Sequence, residues 1–220
     1  LTLHVFGRGL SMAITLNLVD TVASFTKKIN ASLAGTFNQL LFRKKNRIDL
    51  DIRMFVEQQI LAQPEVRELL EENGPGSLTA MLGITNTEAL NAINALVKTI
   101  TRIIKVNIDK VDDRLNGGLE VIISGVDAGD IPEAIKSVPN SKLNWLEWLL
   151  EKGDTPIIIG YRYSASDKGR TGGGIMKPGG VFRIPPSFSG TEEENFIIRA
   201  LVGEPQQQEI ERIIRKALDV

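Results

Sequence analysis

The feature that most constrains this fold is the stretch spanning residues 143–201, which contains both tryptophans and both tyrosines of the chain. It opens with a short apolar block, residues 143–150, that stops at Gly153. The apolar run at 157–159 then indicates a strand over residues 155–164. A chain with this order of patterns needs a core that combines helix and strand.

The second half of this stretch predicts a loop, a hairpin and a helix. The loop is glycine-rich and covers residues 169–174. The sequence Lys-Pro-Gly-Gly at 177–180 predicts a type II turn, because proline presets φ in second place and glycine accepts positive φ in third. Residues 189–191, followed by the acids at 192–194, predict a helix start, because acids stabilise the positive end of the helix dipole.

Several short motifs follow one another through the last third of the chain. They are Trp145 to Leu150, Arg170-Thr171-Gly172, Ile175-Met176, Ile184-Pro185-Pro186, Phe188, Gly190-Thr191 and Asn195 to Ala200. This set resembles a C-terminal module of virion structural proteins from contractile-tailed and other tailed bacteriophages. Asn144 departs from the module, where proline is common, and residues 177–180 look like an insertion. The N-terminal helices share the resemblance only loosely.

The resemblance implies a non-enzymatic structural subunit of a tailed-phage virion, made in the host cytoplasm. Such a subunit acts in neck or tail assembly, as a head–tail joining or tail terminator protein. The implied partners are copies of the same chain in a ring and other neck and tail proteins. Five residues are candidates for the interface: Trp145, Trp148, Arg170, Phe188 and Arg199.

The two tryptophans and the arginine loop each have a second interpretation. Trp145 and Trp148 lie three residues apart, and packing in the core is the ordinary role of such large apolar side chains. An interface remains open because Trp and Arg are enriched at binding hot spots. The loop at 164–174 is expected to contact a neighbouring subunit, with Arg170 as its anchor.

The N-terminal third predicts an arm followed by helices. Residues 1–11 lack periodicity and precede Met12, so they predict an N-terminal arm or an extension upstream of a start at Met12. Between residues 13 and 41 the apolar residues recur in steps of three and four, with Asp20 as a candidate N-cap. The whole region 12–99 is predicted to be helical.

A basic cluster at Arg43, Lys44, Lys45 and Arg47 interrupts this helical region. Lysine and arginine bind phosphate by releasing counterions, which makes packaged DNA a candidate partner. The alternative is a solvated helix end or helix–helix junction, flanked by acids at 49 and 51 and lacking the aromatic residues that stack on single strands.

Residues 100–220 predict a region of mixed helix and strand. Just before it, the helical region is expected to end in helices at 78–82, between Ser77 and Gly83, and at 85–99. Alternating residues then predict strands at 104–109 and 119–126, and residues 205–218 predict a final helix with Pro205 in its first turn. The fold class is therefore α+β, with an N-terminal helical region before a mostly antiparallel sheet with flanking and C-terminal helices.

Composition argues against most catalytic sites. The chain has no cysteine, and His4 is its one histidine, so thiolate metal sites and histidine triads are not expected. The acid pairs, at 112–113 and 192–194, have structural explanations at a strand end and a helix start. Residues 169–174 lack the lysine of a phosphate loop. The alternative function is nevertheless a phosphate- or nucleic-acid-binding protein or enzyme that uses Arg170 and the basic cluster. No cofactor, metal or membrane span is expected.

Overall fold

The computed structural model describes residues 2–6, 13–17, 21–71, 74–138, 141–166, 169 and 173–219. The chain divides into two compact units. The first comprises residues 1–46 with 106–120, and the second comprises residues 47–105 with 121–220. The first boundary falls inside one long helix, so that helix supplies residues to both units.

The first unit begins with a β-hairpin. Strand β1, Thr2–Phe6, pairs antiparallel with β2, Ala13–Asn17, so that Thr2 faces Asn17 and Phe6 faces Ala13. The predicted helix from residue 13 is wrong over this segment, and the predicted arm contains a paired strand. Residues 14–17 read Ile-Thr-Leu-Asn, and this alternation of apolar and polar residues suits a strand better than a helix.

Helix α1, Val22–Leu61, is a single helix of 40 residues. Thr21 caps it, because its Oγ1 accepts a hydrogen bond from the Ser24 N–H at 3.2 Å; the predicted cap Asp20 lies outside the described residues. The basic cluster lies in the interior of α1, so the prediction of a helix end or junction there is wrong. Lysine and arginine are good helix formers, and nothing in residues 43–47 stops a helix.

The rest of the first unit consists of most of two paired strands and the connection between them, which is hydrogen-bonded to α1. Strand β3, Lys105–Asp109, pairs with β4, Gly118–Ile122, which ends earlier than the predicted residue 126. The Asn38 side chain of α1 holds the connection between them through two hydrogen bonds. Its Nδ2 donates to the Val111 carbonyl and its Oδ1 accepts from the Val111 N–H, each at 2.9 Å.

The second unit contains the larger core, built around three helices that follow α1. These are α2, Pro64–Glu71, α3, Leu78–Leu82, and α4, Asn86–Ile103. The predicted Ser77 cap and Gly83 stop are confirmed, and Thr85 and Glu88 form a capping box at α4. Helix α4 runs through the predicted domain boundary at 99–100. Its buried face holds Ala89, Ala92, Ile93, Leu96, Val97 and Ile100.

Two further hairpins and three helices complete this unit. The elements are β5 (Ile135–Val138), β6 (Ser141–Asn144), α5 (Glu147–Leu150), β7 (Ile158–Ser164), β8 (Ile175–Phe182), α6 (Phe196–Leu201) and α7 (Glu204–Leu218). Strand β5 pairs antiparallel with β6, and β7 with β8. Pro205 lies in the first turn of α7, as predicted.

The predicted turn at residues 177–180 is wrong, because these residues lie inside β8. The strand partners Ile159–Val181 and Tyr161–Pro178 leave two glycines of β8 opposite the single Gly160 of β7. Gly179 and Gly180 have φ of 90° and 94°, so the Gly-Gly pair forms a β-bulge instead of a turn. Proline is tolerated beside a bulge because the ladder is already interrupted there.

The α+β class is confirmed, with short antiparallel hairpins beside the helices. The strands differ from the predicted mostly antiparallel sheet in one respect. Over the described residues they form four separate two-stranded sheets, with no sheet of three or more strands. Each hairpin therefore keeps its outer strand edges unpaired within this part of the chain.

Candidate assembly interface

The motif residues of the last third form one hydrogen-bonded centre where α5 meets the segment before α6. The Gly190 N–H donates to the Trp148 carbonyl at 3.1 Å, and the Gly190 carbonyl accepts from the Gly153 N–H at 2.8 Å. Lys152 and Thr191 form an isolated antiparallel bridge beside them. Residues some 40 positions apart in the sequence are thus held in register without a regular sheet.

Asn195 fixes this centre from its buried position at the start of α6. Its Oδ1 accepts from the N–H groups of Ile197 and Ile198, each at 3.0 Å, and so caps the helix. Its Nδ2 donates to the carbonyls of Leu150 and Thr191 at 3.0 and 2.9 Å. The predicted helix start at residues 189–191 is therefore wrong: Thr191 lies in the bridge with Lys152, the acids at 192–194 form a bend, and Asn195 supplies the cap.

Gly190 lies where no larger residue fits. A Cβ built on it would overlap the Leu149 carbonyl oxygen and would stand 2.7 Å from the Asn195 Cβ. The Leu149 carbonyl lies between the bonded carbonyls of Trp148 and Leu150, and Asn195 makes four bonds, so displacing either neighbour disturbs the centre. The φ of Gly190 is not positive, so a left-handed backbone is not the reason for a glycine here. The reason is the close approach of the Leu149 backbone, which leaves no room for a side chain.

The structure places both tryptophans in the core of the second unit. Trp145 and Trp148 are buried, and the Trp148 indole Nε1 donates to the Thr155 carbonyl at 3.1 Å. The ammonium of Lys152 lies 4.5 Å from the centre of the Trp148 ring, within cation–π range. This is the core-packing alternative, and the interface prediction for these two residues has no exposed side chain to act through.

The other three candidate interface residues differ in exposure. Phe188 is half-buried in a turn, where its N–H donates to the Pro185 carbonyl at 2.9 Å. Arg199 lies on α6 with its side chain 40% exposed, and its guanidinium forms an ion pair with Glu65 of α2. Arg170 lies outside the described residues. Because both tryptophans are buried, neither Phe188 nor Arg199 forms one exposed patch with them.

Glu65 is a buried charged residue to which no pattern in the sequence pointed. Its side chain is 2% exposed; one carboxylate oxygen accepts from Arg199, and the other, Oε2, has no hydrogen-bond partner. A buried carboxylate depends on its counter-charge, because desolvating an unpaired charge is costly. Three acids and one basic residue in a helix of eight give no sign of this pairing in the sequence.

The basic cluster forms part of the solvent-facing surface of α1. Arg43 and Arg47 are exposed, while Lys44 and Lys45 are half-exposed. The Arg47 Nε donates to the Asp51 carboxylate at 2.8 Å, one turn further along the helix. The cluster thus keeps a cationic surface, reduced at its C-terminal end by this ion pair.

A cavity of about 680 Å³ opens between α3 and the base of the β7–β8 hairpin. Tyr163 holds its wall, because the phenol oxygen accepts from the N–H groups of Gly76 and Gly174, each at 3.1 Å. Lys136 contributes a positive charge, but its Nζ lies 3.0 Å from the Glu88 carboxylate. The Thr85 N–H, and then Lys136, hold the pKa of Glu88 below its ordinary value. The Glu88 carboxylate compensates the charge of Lys136, so this lysine is poorly suited to bind an anion.

The acid pair at 112–113 has a structural role. The Asp112 carboxylate accepts from the N–H groups of Arg114 and Asn116 at 2.8 and 2.9 Å, and these bonds lower its pKa, that from Asn116 most. Asp113 lies 3.4 Å from the Lys27 ammonium. Within the described residues, no group of three or more His, Cys, Asp or Glu side chains could hold a metal ion.

Comparison of the chain with protein-family models, with curated proteins and with solved structures found no match. The resemblance to phage virion proteins therefore stays a prediction.

No helix in the part of the chain that the structure describes is both long and apolar enough to cross a membrane.

Proposed function

We propose that this chain is a non-enzymatic structural subunit of a tailed-phage virion that assembles as a ring in the neck or tail. The phage assignment derives from the resemblance of the C-terminal motifs. The structural support is a group of exposed apolar residues on the β7–β8 hairpin: Ile159 and Val181 lie opposite each other on the two strands, and Tyr161 lies two residues further along β7. An apolar patch on a protein surface is a common mark of a binding site for another protein.

The hairpin also offers backbone to a partner. The outer edges of β7 and β8 pair with no other strand that the structure describes. An open edge presents unpaired N–H and C=O groups, and an extended segment of a neighbouring subunit can add to it as a further strand. Side chains and backbone of the same hairpin thus supply the two components of a strand-addition contact. Head-to-tail contacts of this kind close into rings when the rotation between copies allows it.

A charge placed on the hairpin patch is expected to block incorporation of the chain into particles without unfolding it. Ile159 is 78% exposed, so glutamate there costs little in the isolated chain but would be buried unpaired in the contact. The measurement is the yield of complete particles when the variant Ile159→Glu is the sole copy of this chain.

The matched control is Val202→Glu, because Val202 is 66% exposed and lies outside the hairpin. Thermal unfolding of both purified variants checks that they fold alike. Normal particle yield with Ile159→Glu would contradict the proposed role of the hairpin.

A second candidate function is binding of a nucleic acid, including packaged DNA. Residues 21–48 contain six basic side chains and no acid. These bases are Lys27, Lys28, Arg43, Lys44, Lys45 and Arg47, of which Lys27 and Arg47 pair with Asp113 and Asp51. Binding of the purified chain to duplex DNA that weakens steeply with salt, and is lost in a variant with Arg43, Lys44 and Lys45 changed to glutamine, would favour this candidate.

A further inference from the structure

The part of helix α1 that belongs to the first unit carries an exposed apolar row. We define this stripe as Val22, Phe25, Ile29, Leu33, Phe37 and Leu40; the first five side chains are 42–78% exposed and Leu40 is half-buried. The residues that this unit buries on α1, Ala34 and Leu41, lie about 110° around the helix at 3.6 residues per turn. The helix therefore has two apolar rows, and the stripe needs a partner from elsewhere.

The spacing of the stripe is the same in both directions along the helix. Its members follow one another in steps of 3, 4, 4, 4 and 3 residues. Val22 with Leu40, Phe25 with Phe37, and Ile29 with Leu33 all share a midpoint at position 31. We propose that two copies of this chain pair through the stripe, helix against helix in opposite directions. Each apolar side chain then meets an apolar side chain of the second copy at its own level.

The polar residues between the stripe members are compatible with a dry contact. The Thr26 Oγ1 donates to the Val22 carbonyl at 2.9 Å, and the Thr36 Oγ1 donates to the Ser32 carbonyl at 3.1 Å. Hydroxyls bonded within their own helix need no other donor or acceptor when they are covered. These two threonines share the midpoint at position 31 as well, so they also meet across the pair.

The distribution of charge favours opposite directions over parallel ones. Residues 21–48 have no acid that could neutralise a second cluster of bases. In a parallel pair the two clusters at Arg43, Lys44 and Lys45 would lie side by side. In the antiparallel pair they lie roughly 36 Å apart at 1.5 Å per residue, well beyond the screening length of about 8 Å in physiological salt.

The area of the stripe suits a reversible dimer. Six side chains of this size and exposure cover roughly 600 Å² per copy, so the pair would bury about 1,200 Å², the lower end of the range for stable interfaces. An anionic bilayer is the other surface that an apolar row followed by bases could meet. The threonine pattern and the shared midpoint favour a second helix, because a bilayer has no register to match.

Sedimentation of the purified chain tests the pairing. The wild type is expected to form a dimer at micromolar concentration, and Leu33→Lys is expected to weaken it on the order of a hundredfold, because each copy then buries a charge. The matched control is Leu50→Lys, since Leu50 lies on the same helix and is also 52% exposed. Far-ultraviolet circular dichroism confirms that both variants keep α1.

Cysteine cross-linking tests the direction of the pair, because the chain has no native cysteine. Mixing Ile29→Cys chains with Leu33→Cys chains is expected to give a covalent dimer under mild oxidation, and each variant alone is expected to give little. Cross-linking of each variant with itself would indicate parallel helices and would overturn the proposed arrangement.

Two further outcomes would overturn the pairing itself. One is a wild-type chain that stays monomeric up to about 100 µM, where an interface of this size should be occupied. The other is a monomer that floats with vesicles of anionic phospholipid through the same stripe. Both measurements use the purified chain, so the pairing and the proposed virion role can each fail independently.

Discussion

Replacing Gly190 by alanine is expected to lower the free energy of unfolding of the second unit by roughly 3 kcal/mol or more. The added Cβ has no space, because it would overlap the Leu149 carbonyl oxygen and press on Asn195. Asn195 bonds two N–H groups and two carbonyls, so its displacement also removes the cap of α6. Denaturant unfolding of purified Gly190→Ala measures the loss.

The control for this experiment is Gly125→Ala. Gly125 has no heavy atom within 4 Å of the place where a Cβ would stand, and its φ is not positive. This variant is expected to change the stability by less than about 0.5 kcal/mol. Equal stability of the two variants would show that residues 149–195 are less tightly joined than the geometry indicates.

Replacing Arg199 by methionine is expected to cost roughly 2–4 kcal/mol, although the arginine itself is 40% exposed. The loss arises at Glu65, whose buried carboxylate would lose the guanidinium that bonds it. The double variant Glu65→Met/Arg199→Met removes both charges and is expected to recover most of the stability. Denaturant unfolding of the single and double variants completes the cycle.

A different pattern would contradict this assignment. If Arg199→Met were as stable as the wild type, the ion pair would have no role in holding α6 to α2. If the double variant were less stable than Arg199→Met, the carboxylate of Glu65 would have a partner besides Arg199. Either result would return Arg199 to the set of residues available for an interface.

Local signals in the sequence were sufficient for the caps and for the short helices. Ser77, Gly83 and Pro205 act through their own backbone and near neighbours, so their roles can be predicted without knowledge of the fold. The fold class follows from the same signals, because helical and alternating patterns occupy separate parts of the chain.

The predictions from sequence were wrong where a residue distant in the sequence determines the local structure. Residues 177–180 have the composition of a turn, but pairing with β7 turns their two glycines into a bulge. Asn195 is the cap of α6 because Leu150 and Thr191 hold its amide, whereas the acids before it satisfy only a local rule.

The candidate site shows the same division. The apolar periodicity of α1 was visible in the sequence, but its exposure depends on which row the first unit covers. Tryptophan is common at interfaces, so the sequence left that role open for Trp145 and Trp148, and only the fold shows that they are buried. The ion pair of Glu65 with Arg199 joins residues 134 positions apart, beyond the reach of any local pattern.

Cryo-electron microscopy of the tailed particle that incorporates this chain tests the central claim most directly. The proposed function predicts several symmetry-related copies in one ring of the neck or tail, with the β7–β8 hairpin of each copy in contact with its neighbour. A particle with a single unrepeated copy, or a complete particle that lacks the chain, would contradict it.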